Sequence, residues 1–327
     1  MSEANEKIEN KKESTLADNS YVLITPAHNE EAYIARTICS VMSQTKPPRK
    51  WVIVNDSSTD GTAAVVKELA AKCCFINLVE RTREKAGHDF ASRVSAINYG
   101  YKFLDGVAYS YIGILDSDIS LQADYYEKIL HEFRANQGLG IASGDILESR
   151  NGNFESRRNN RRYQPAGAVQ LFARECYERI GGLQPFSGGY DDTVAAIKAR
   201  MLGWETQTFF DIPVHHHRLT GVTGRSGLAA KFSDGLTEYS IGYHPLYELA
   251  NCLIRIIEKP YLVGAAVKML GYWSGFLHQR RRPMPQEFQD FLRIEQIGRL
   301  QRTFGHLGRS LGNTRGVVRD ESEAART

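Results

Sequence analysis

Short apolar runs alternate with longer stretches of helical spacing over the first two thirds of the chain. The apolar runs predict strands near Val22–Thr25, Trp51–Val54, Phe75–Val79 and Tyr111–Leu115. Apolar residues three and four positions apart predict intervening helices near Glu31–Ser43, Ala63–Ala71 and Ala91–Phe103. Strands that alternate with helices are typical of a mostly parallel sheet, and strands without polar alternation indicate helices on both faces. The pattern therefore predicts an α/β fold.

The pattern changes beyond about Gly221, where strand character is lost. Long helical stretches follow at Pro245–Ile257, Pro260–Leu277 and Pro285–Thr303. Both ends of the chain, residues 1–20 and 305–327, are polar and charged and predict disordered tails. We therefore expect an α/β domain over residues 21–220 and a helical C-terminal region over residues 221–304.

Composition narrows the function classes. With 41 Lys and Arg against 38 Asp and Glu, the net charge of +3 lacks the basic excess of a dedicated nucleic-acid binder. The five cysteines show no zinc-site spacing, and their odd number does not suggest a disulfide framework. No apolar secretory segment occurs near the N-terminus. We expect a reduced, cytoplasmic protein with no nucleic-acid partner.

Two carboxylates follow a buried strand at Asp116-Ser117-Asp118. Such hard oxygen ligands suit magnesium or manganese, which bind phosphate oxygens as well as carboxylates. The alternative is a cap for the helix expected near Asp124–Asn136. The motif predicts a divalent-cation site if neighbouring strand ends also carry polar residues.

Polar residues do follow the first two strands, as Pro26–Glu31 and Asn55–Thr62. Ligands of open α/β sheets lie at the carboxyl ends of the strands, so these segments should converge with Asp116 on one crevice. Asp60 is interpreted as the cap of the next helix. Asp56 directly follows its strand, where its carboxylate can accept hydrogen bonds from a nucleobase or ribose.

Two later segments carry further candidate groups. Asp191 and Asp192 precede a helix. Interaction with the positive end of that helix explains one of the two acids. The other acid can take a proton from an acceptor hydroxyl. His215-His216-His217 follows the apolar stretch Phe209–Val214. In a strand, His215 and His217 share one face, and a neutral imidazole could complete a metal shell; the alternative is a surface loop.

In this order, the motifs resemble those of the family 2 glycosyltransferases. Pro26 to Glu30 resembles the opening Pro-x-x-Asn-Glu of the family, and Asn55 to Thr62 resembles its nucleotide-binding turn. Asn98-Tyr99-Gly100 resembles the Asn-x-Gly before the metal motif, which corresponds to Asp116-Ser117-Asp118. The Glu-Asp pair of the family falls on Asp191 and Asp192, with Asp191 and Lys198 departing from the commoner Glu and Arg.

The resemblance implies the GT-A fold and an inverting, metal-dependent transfer from a nucleotide-diphospho-sugar, in cell-envelope or extracellular polysaccharide or glycolipid synthesis. It implies Asp192 as the catalytic base and a glycan or lipid-linked acceptor. The implied manganese or magnesium ligands are Asp116 and Asp118. From the histidine triplet we add His217 as an expected third ligand, and the sequence leaves open which of His215, His216 and His217 reaches the metal. The implied donor-binding residues are Pro26, His28, Asn29, Glu30, Asp56, Asp116 and Asp191. Gln296-Ile297-Gly298-Arg299-Leu300 lacks the Trp of the processive Gln-x-x-Arg-Trp motif, so we expect single-sugar addition.

Other readings of the same residues stay open. A sugar-nucleotide pyrophosphorylase shares the general fold, but its Gly-rich signature is absent from Pro26–Glu31. A non-catalytic nucleotide-sugar or glycan binding protein would keep the crevice. The run Pro260–Leu277 falls short of the roughly 20 apolar residues of a membrane span.

The same run has one apolar helical face, with Lys268 opposite and the basic segment His278–Arg282 beyond its end. The residues of that face are Leu262, Ala266, Leu270, Trp273 and Leu277. This arrangement predicts a helix lying in a membrane surface, on the inner face of the cell membrane, or a helix packed on the catalytic domain.

Overall fold

The computed structural model describes residues 19–83, 90–150, 153–157, 160–186, 188–218, 227–254 and 262–302. The chain divides into two compact units, residues 1–224 and residues 225–327. The predicted disordered tails lie outside the described residues, apart from 19 and 20.

The first unit is built on one sheet of nine strands. The strands are β1 Tyr21–Ala27, β2 Lys50–Asp56, β3 Ile76–Arg81, β4 Tyr111–Leu115, β5 Ile119–Leu121, β6 Leu139–Arg150, β7 Asn153–Ser156, β8 Val169–Ala173 and β9 Glu205–His216. Their order is β3-β2-β1-β4-β8-β6-β9-β5, and β7 pairs with β6. Strands β3, β2, β1 and β4 are parallel to one another, as predicted. The other half of the sheet is mixed, because β8 runs antiparallel to β4 and β6.

Helices cover this sheet on both faces. The helices of the first unit are α1 Ile34–Met42, α2 Thr62–Ala70, α3 Phe90–Tyr101, α4 Tyr125–Ala135, α5 Arg174–Arg179 and α6 Asp191–Met201, with a 3₁₀ turn at Lys102–Leu104. Alternate residues of β1 enter different cores: Leu23 packs with Trp51 on one face, and Ile24 packs with Val52 on the other. Burial on both faces is the reason that these strands read as continuous apolar runs.

Parallel pairing brings the ends of three strands to one edge of the sheet. In register, Ala27 of β1 pairs with Asn55 of β2, and Ile24 pairs with Ile114 of β4. The polar segments that follow these strands therefore start side by side, as expected from the sequence.

The second unit is helical. It contains α7 Leu228–Ile241, α8 Pro245–Ile254, α9 Val263–Leu277 and α10, which is described over 286–302. Helices α7 and α9 approach closely at glycines: a Cβ on Gly235 would lie 1.9 Å from the carbonyl oxygen of Lys268, and one on Gly271 would lie 2.0 Å from that of Phe232. None of the helices in the described segments is long and apolar enough to cross a bilayer.

Lys268 of α9 is buried, although the amphipathic pattern suggested a polar face. Its Nζ lies 2.6 Å from Glu238 Oε2 of α7 and 3.1 Å from Glu248 Oε1 of α8. We call Lys268, Glu238 and Glu248 the Lys268 cluster. Burial and the neighbouring Glu238 raise the pKa of Glu248 to about 8, against the effect of Lys268. At neutral pH a proton on Glu248 leaves one cation facing one anion, which is the neutral state that a buried site favours.

Candidate functional site

The turns after β1 and β2 are joined by hydrogen bonds. Asn29 accepts a bond from the Thr59 backbone N–H at 2.8 Å, and the Glu30 backbone N–H donates to Thr62 Oγ1 at 2.8 Å. Asp60 Oδ1 accepts from the Thr62 N–H at 3.0 Å, but the N-cap residue of α2 is Gly61 and not the predicted Asp60. Asn29 has a φ of 56°, a left-handed conformation that is costly for a residue with a Cβ. The two turns thus form one fixed rim of the crevice.

Asp56 ends β2, and its side chain is only 2% exposed. One carboxylate oxygen pairs with Arg81 Nη1, and the other lies 2.6 Å from Arg83 Nε and 3.1 Å from Ser92 Oγ. His28 Nδ1 is 2.7 Å from the backbone oxygen of Asp56. The predicted nucleotide-binding carboxylate therefore already holds two arginines at this strand end.

Arg93, next to Ser92 in the first turn of α3, joins two other predicted residues. Its Nε and Nη2 donate to Asp116 Oδ1 at 2.9 and 2.8 Å, and its Nη1 donates to Asp191 Oδ2 at 2.8 Å. We call Arg93, Asp116 and Asp191 the Arg93 cluster. Burial raises the pKa of Asp191 to about 6. The charge of Arg93 lowers this pKa, while the charges of Asp192 and Asp116 raise it further. Burial also raises the pKa of Asp116.

Asp192, the predicted base, lies beside this cluster. The Gly167 backbone N–H donates to Asp192 Oδ2 at 3.1 Å, while the Gly167 carbonyl oxygen accepts from Arg93 Nη2 at 2.8 Å. A Cβ on Gly167 would lie 2.9 Å from the Asp192 Cβ, so glycine permits this approach. Tyr190, just before α6, has a φ of 71° and is, like Asn29 and Ser57, a left-handed non-glycine residue at the site. The pair Asp191 and Asp192 is thus held against the Asp116 strand end.

Arg218 provides a second bridge between carboxylates. It pairs with Glu30 Oε2, its Nε lies 3.3 Å from Asp118 Oδ2, and its guanidinium lies 5.1 Å from the centre of the Tyr33 ring. Burial raises the pKa of Glu30 to about 7, with Arg218 opposing the shift and Asp118 and Asp116 adding to it. Glu30, predicted as a donor-binding residue, is therefore electrostatically coupled to the Asp116-Ser117-Asp118 motif.

The side chain of His216, and not that of the predicted His217, lies beside the Asp118 carboxylate, while the His217 backbone N–H donates to the Asp118 carbonyl oxygen at 3.0 Å. His216 Nε2 is 3.3 Å from Asp118 Oδ1, whereas His217 Nε2 is 2.8 Å from Ser120 Oγ. The predicted alternation is correct, because the rings of His215 and His217 both contact Phe154. What the sequence could not indicate is which face of β9 meets Asp118.

His216 and Asp118 shift each other's pKa in opposite directions. Burial would lower the pKa of His216, but the hydrogen bond to Asp118 and the charges of Asp118 and Asp116 outweigh it and raise that pKa. Burial would raise the pKa of Asp118, but His216 and Arg218 outweigh it and lower that pKa. The His216 imidazole and the Arg218 guanidinium thus lie beside Asp118 and favour its ionised form.

The donor set around Asp118 fits a divalent cation in part. Two ligands on adjacent corners of an octahedron with bonds of about 2.1 Å are about 3 Å apart, close to the 3.3 Å between Asp118 Oδ1 and His216 Nε2. Asp116 is turned toward Arg93. Within the described parts of the chain, no group of three His, Cys, Asp or Glu side chains is arranged to hold a metal.

Sequence reasoning missed the cationic half of this site. Arginine side chains pair with Glu30, Asp56 and Asp116 at the strand ends, and they are Arg81, Arg83, Arg93 and Arg218. The one available signal was position, since Arg93 starts a helix that faces the crevice and Arg218 directly follows the histidines. Because Arg matches carboxylate and phosphate groups alike, these side chains can exchange one for the other.

Comparison with known proteins decides the family. The family model described as Glycosyl transferase family 2 matches residues 22–195, more than half of the chain. The chain belongs to glycosyl transferase family 2. The matched range holds the ends of β1, β2 and β4, together with Asp191 and Asp192, and ends before His216 and Arg218.

Two curated relatives match part of this family 2 chain. Glycosyltransferase GlyA of Streptococcus pneumoniae is 31% identical over 129 residues, which are 38% of this chain and 17% of GlyA. The poly-β-1,6-N-acetyl-D-glucosamine synthase of Staphylococcus epidermidis is 27% identical over 126 residues, which are 36% of this chain and 26% of the synthase. The matched segments thus span about a quarter or less of these relatives.

A solved structure confirms the predicted fold. The mannosyltransferase PcManGT of Pyrobaculum calidifontis, in complex with GDP-Man and Mn2+, has a TM-score of 0.54 and 18% identity. The match covers 82% of this chain and 89% of PcManGT. The likeness establishes the GT-A architecture, a sheet flanked by helices.

Proposed function

We propose that this family 2 chain is an inverting glycosyltransferase that moves a single sugar from a nucleotide-diphospho-sugar to an acceptor hydroxyl. One observation carries the proposal. Arg93 joins Asp116 to Asp191, and Gly167 contacts both Arg93 and Asp192, so the candidate base lies at the strand end that carries the Asp116-Ser117-Asp118 motif. A donor bound at that strand end would place its anomeric carbon within reach of a hydroxyl held by Asp192.

Asp192 is proposed to take the proton of the acceptor hydroxyl as that oxygen attacks the anomeric carbon. One displacement from the face opposite the leaving diphosphate inverts the configuration. Asp192 Oδ1 accepts bonds from the N–H and the hydroxyl of Thr193, while Oδ2 accepts one bond from the Gly167 N–H and keeps a further lone pair for the proton. The backbone bonds orient the carboxylate without neutralising it.

Asp118 and His216 are the proposed protein ligands of a divalent cation, with Asp116 nearby. The Mn2+ and GDP-Man of PcManGT support this choice of cofactor and donor class. Such an ion, when bound, neutralises charge on a diphosphate. The protein would release Arg218 from Asp118, and the freed guanidinium could bind a phosphate oxygen.

The synthase among the relatives supports a role in cell-envelope or extracellular polysaccharide or glycolipid synthesis, with a glycan or lipid-linked acceptor. We also propose peripheral association with the inner face of the cell membrane, through the helical unit. The match to family 2 favours a transferase over a sugar-nucleotide pyrophosphorylase.

The test combines donor identification with a base variant. UDP-, GDP- and dTDP-sugars are screened by thermal shift with Mn2+, since a bound donor raises the midpoint. Hydrolysis of the responding donor is then compared for the wild type and Asp192→Asn. Because general base action contributes about 10²–10⁴-fold, we expect hydrolysis to fall at least about 100-fold while the donor Kd stays within a factor of three.

Asp211→Asn, at an exposed position of β9, is the matched control and should keep full turnover. Equal hydrolysis by Asp192→Asn and the wild type would exclude Asp192 as the base. Donor binding without any hydrolysis by the wild type would instead support the non-catalytic binding protein.

A further inference from the structure

Helix α9 presents a continuous apolar stripe to solvent. Exposed side chains recur at helical spacing, and they are Leu262, Ala266, Leu270, Trp273 and Leu277. Leu270 is 63% exposed and Leu277 is 74% exposed. Helix α8 repeats the pattern with Leu246, Leu249 and Leu253. Large apolar side chains in such regular rows are unlike the scattered exposure of an ordinary surface and indicate a contact surface.

The opposite face of α9 is fixed in the interior of the helical unit. Lys268 is held by Glu238 and Glu248, and Gly271 lies against the backbone of Phe232. Rotation of α9 to bury the stripe would pull a buried cation from its partners. The stripe is therefore set outward by the packing beneath it.

A cavity of about 680 Å³ opens where the stripe ends. Its lining includes Phe276, Leu277, Arg280, Arg282, Gln286 and Gln289. It therefore joins the apolar end of the stripe to basic and amide side chains, and its volume lies in the range of small-ligand pockets.

Arg282 has, at this cavity, a hydrogen-bond donor without a partner in the described part of the chain. Its guanidinium lies 4.4 Å from the centre of the Tyr239 ring, and its Nη1 donates to Gln289 Oε1 at 3.2 Å. Its Nε is buried and has no hydrogen-bond partner among the described residues. A buried cationic donor calls for an acceptor, and a phosphate oxygen suits a guanidinium best.

We propose that the helical unit docks on an anionic phospholipid bilayer, with the α9 stripe in the acyl boundary and a lipid phosphate in the cavity beside Arg280 and Arg282. This inference deepens the peripheral association proposed above by naming the ligand and its site. The segment Val263–Leu277 contains no acidic residue to pair with these arginines in a second copy. An anionic bilayer supplies both the apolar layer and the negative charge that the surface lacks.

The test is flotation of the full chain with two kinds of vesicle, phosphatidylcholine alone and phosphatidylcholine with phosphatidylglycerol. We expect binding to the anionic vesicles at least ten times stronger than to the neutral ones. The exposed Trp273 should shift its emission to shorter wavelength on binding, and Trp273→Phe should abolish that shift. Inorganic phosphate at millimolar concentration should not compete, because the stripe needs a bilayer.

Two variants separate the parts of the site. Arg280→Gln/Arg282→Gln should lose the preference for anionic vesicles, and Leu270→Ser/Leu277→Ser should lose binding to both kinds. Because Arg282 packs on Tyr239, Arg280→Gln/Arg281→Gln, at exposed positions, serves if the first variant fails to fold. Arg134→Gln and Leu202→Ser, exposed residues of the sheet unit, are the matched controls and should bind as the wild type.

Absence of flotation with anionic vesicles at low salt would overturn the inference, as would unchanged binding by both arginine variants. A chain that elutes as a dimer and ignores vesicles would assign the stripe to a second copy and overturn it as well. Donor hydrolysis in vesicle-free solution reports on the transferase alone, so a failure of either proposal can be recognised separately.

Discussion

The Arg93 cluster of the first unit and the Lys268 cluster of the second each hold a cation between two carboxylates, and they differ in their access to water. In the Arg93 cluster the side chains of Arg93 and Asp116 are 20% and 27% exposed. In the Lys268 cluster the side chains of Lys268 and Glu248 are 2% and 0% exposed. The first cluster lies at the ends of parallel strands, and the second lies between packed helices.

This difference separates a site that can exchange partners from one that cannot. Water and ligands can reach Asp116, so a phosphate or cation can replace the contacts made by Arg93 without leaving a bare buried charge. Replacement in the Lys268 cluster would strand a carboxylate in a medium that solvates it poorly. We infer that similar charge triads serve ligand binding in the sheet unit and packing in the helical unit.

The largest expected effect is on stability, in Lys268→Met. The substitution removes the cation and leaves Glu238 and Glu248 buried without it, so the free energy of unfolding should fall by about 3–5 kcal/mol. Urea denaturation measures this loss. The uncharged variant Lys268→Met/Glu238→Gln/Glu248→Gln should regain most of it, because no buried charge remains. Unchanged stability in Lys268→Met would show that the cluster is open to water after all.

Periodicity in the sequence was sufficient to predict the parallel half of the sheet. The strands predicted near Val22–Thr25 and Trp51–Val54 lie within β1 and β2, because burial on both faces forces continuous apolar runs. The mixed half was not predicted. Strand β8 reverses direction through contacts with β4 and β6, and such long-range pairing leaves no local pattern in the sequence.

The predicted acidic residues of the site converge because the ends of parallel strands must lie at one edge. Their cationic partners depend on which distant side chain reaches them, and Arg93 is 23 residues from Asp116. Lys268 shows the same limit, since its partner Glu238 belongs to another helix. Strand alternation predicted that His216 and His217 face opposite sides of the sheet, but it did not predict which side each faces.

Arg93→Met should lower stability less than Lys268→Met does, and it should weaken binding of the donor more. It removes four hydrogen bonds of the guanidinium, three of them to carboxylates, but Asp116 can then hydrate, so we expect a stability loss of about 1.5–3 kcal/mol, smaller than in Lys268→Met. Donor affinity, measured by calorimetry with Mn2+, should fall at least about tenfold, equivalent to about 1.4 kcal/mol. Arg93→Lys should not restore it, because an ammonium cannot bridge Asp116 and Asp191 in the same plane.

The matched control for that comparison is Arg134→Met, at an exposed position of α4 with the same change of side chain. It should leave both stability and donor affinity unchanged. A stability loss in Arg93→Met as large as in Lys268→Met would mean that the two clusters have the same structural role, and the distinction between them would be lost.

The smallest expected effect is the dependence of stability on pH. The two clusters should differ in the pH range over which stability changes. Glu248, which faces Glu238, Lys268 and Cys252, has its pKa raised from 4.5 to about 8, so between these values the folded state binds more protons than the unfolded state. Stability from this group is complete below pH 4.5 and is lost as pH rises toward 8, by about 1 kcal/mol between pH 7 and 8. Glu248→Gln should remove that slope in urea titrations.

Asp191, which faces Arg93, Asp192 and Asp116, has its pKa raised from 3.8 to about 6 by the same cause, burial. Its contribution to stability is therefore lost at lower pH, as pH rises from about 4 to 6, a range that overlaps the start of the Glu248 range, and Asp191→Asn should remove the part of the slope that Asp191 adds there. A bound donor should shift this lower range and leave the upper one in place, because a ligand at the strand ends can change the charges around Asp191 but not those around Glu248. If the donor shifts both ranges equally, access to water does not explain the difference between the two clusters.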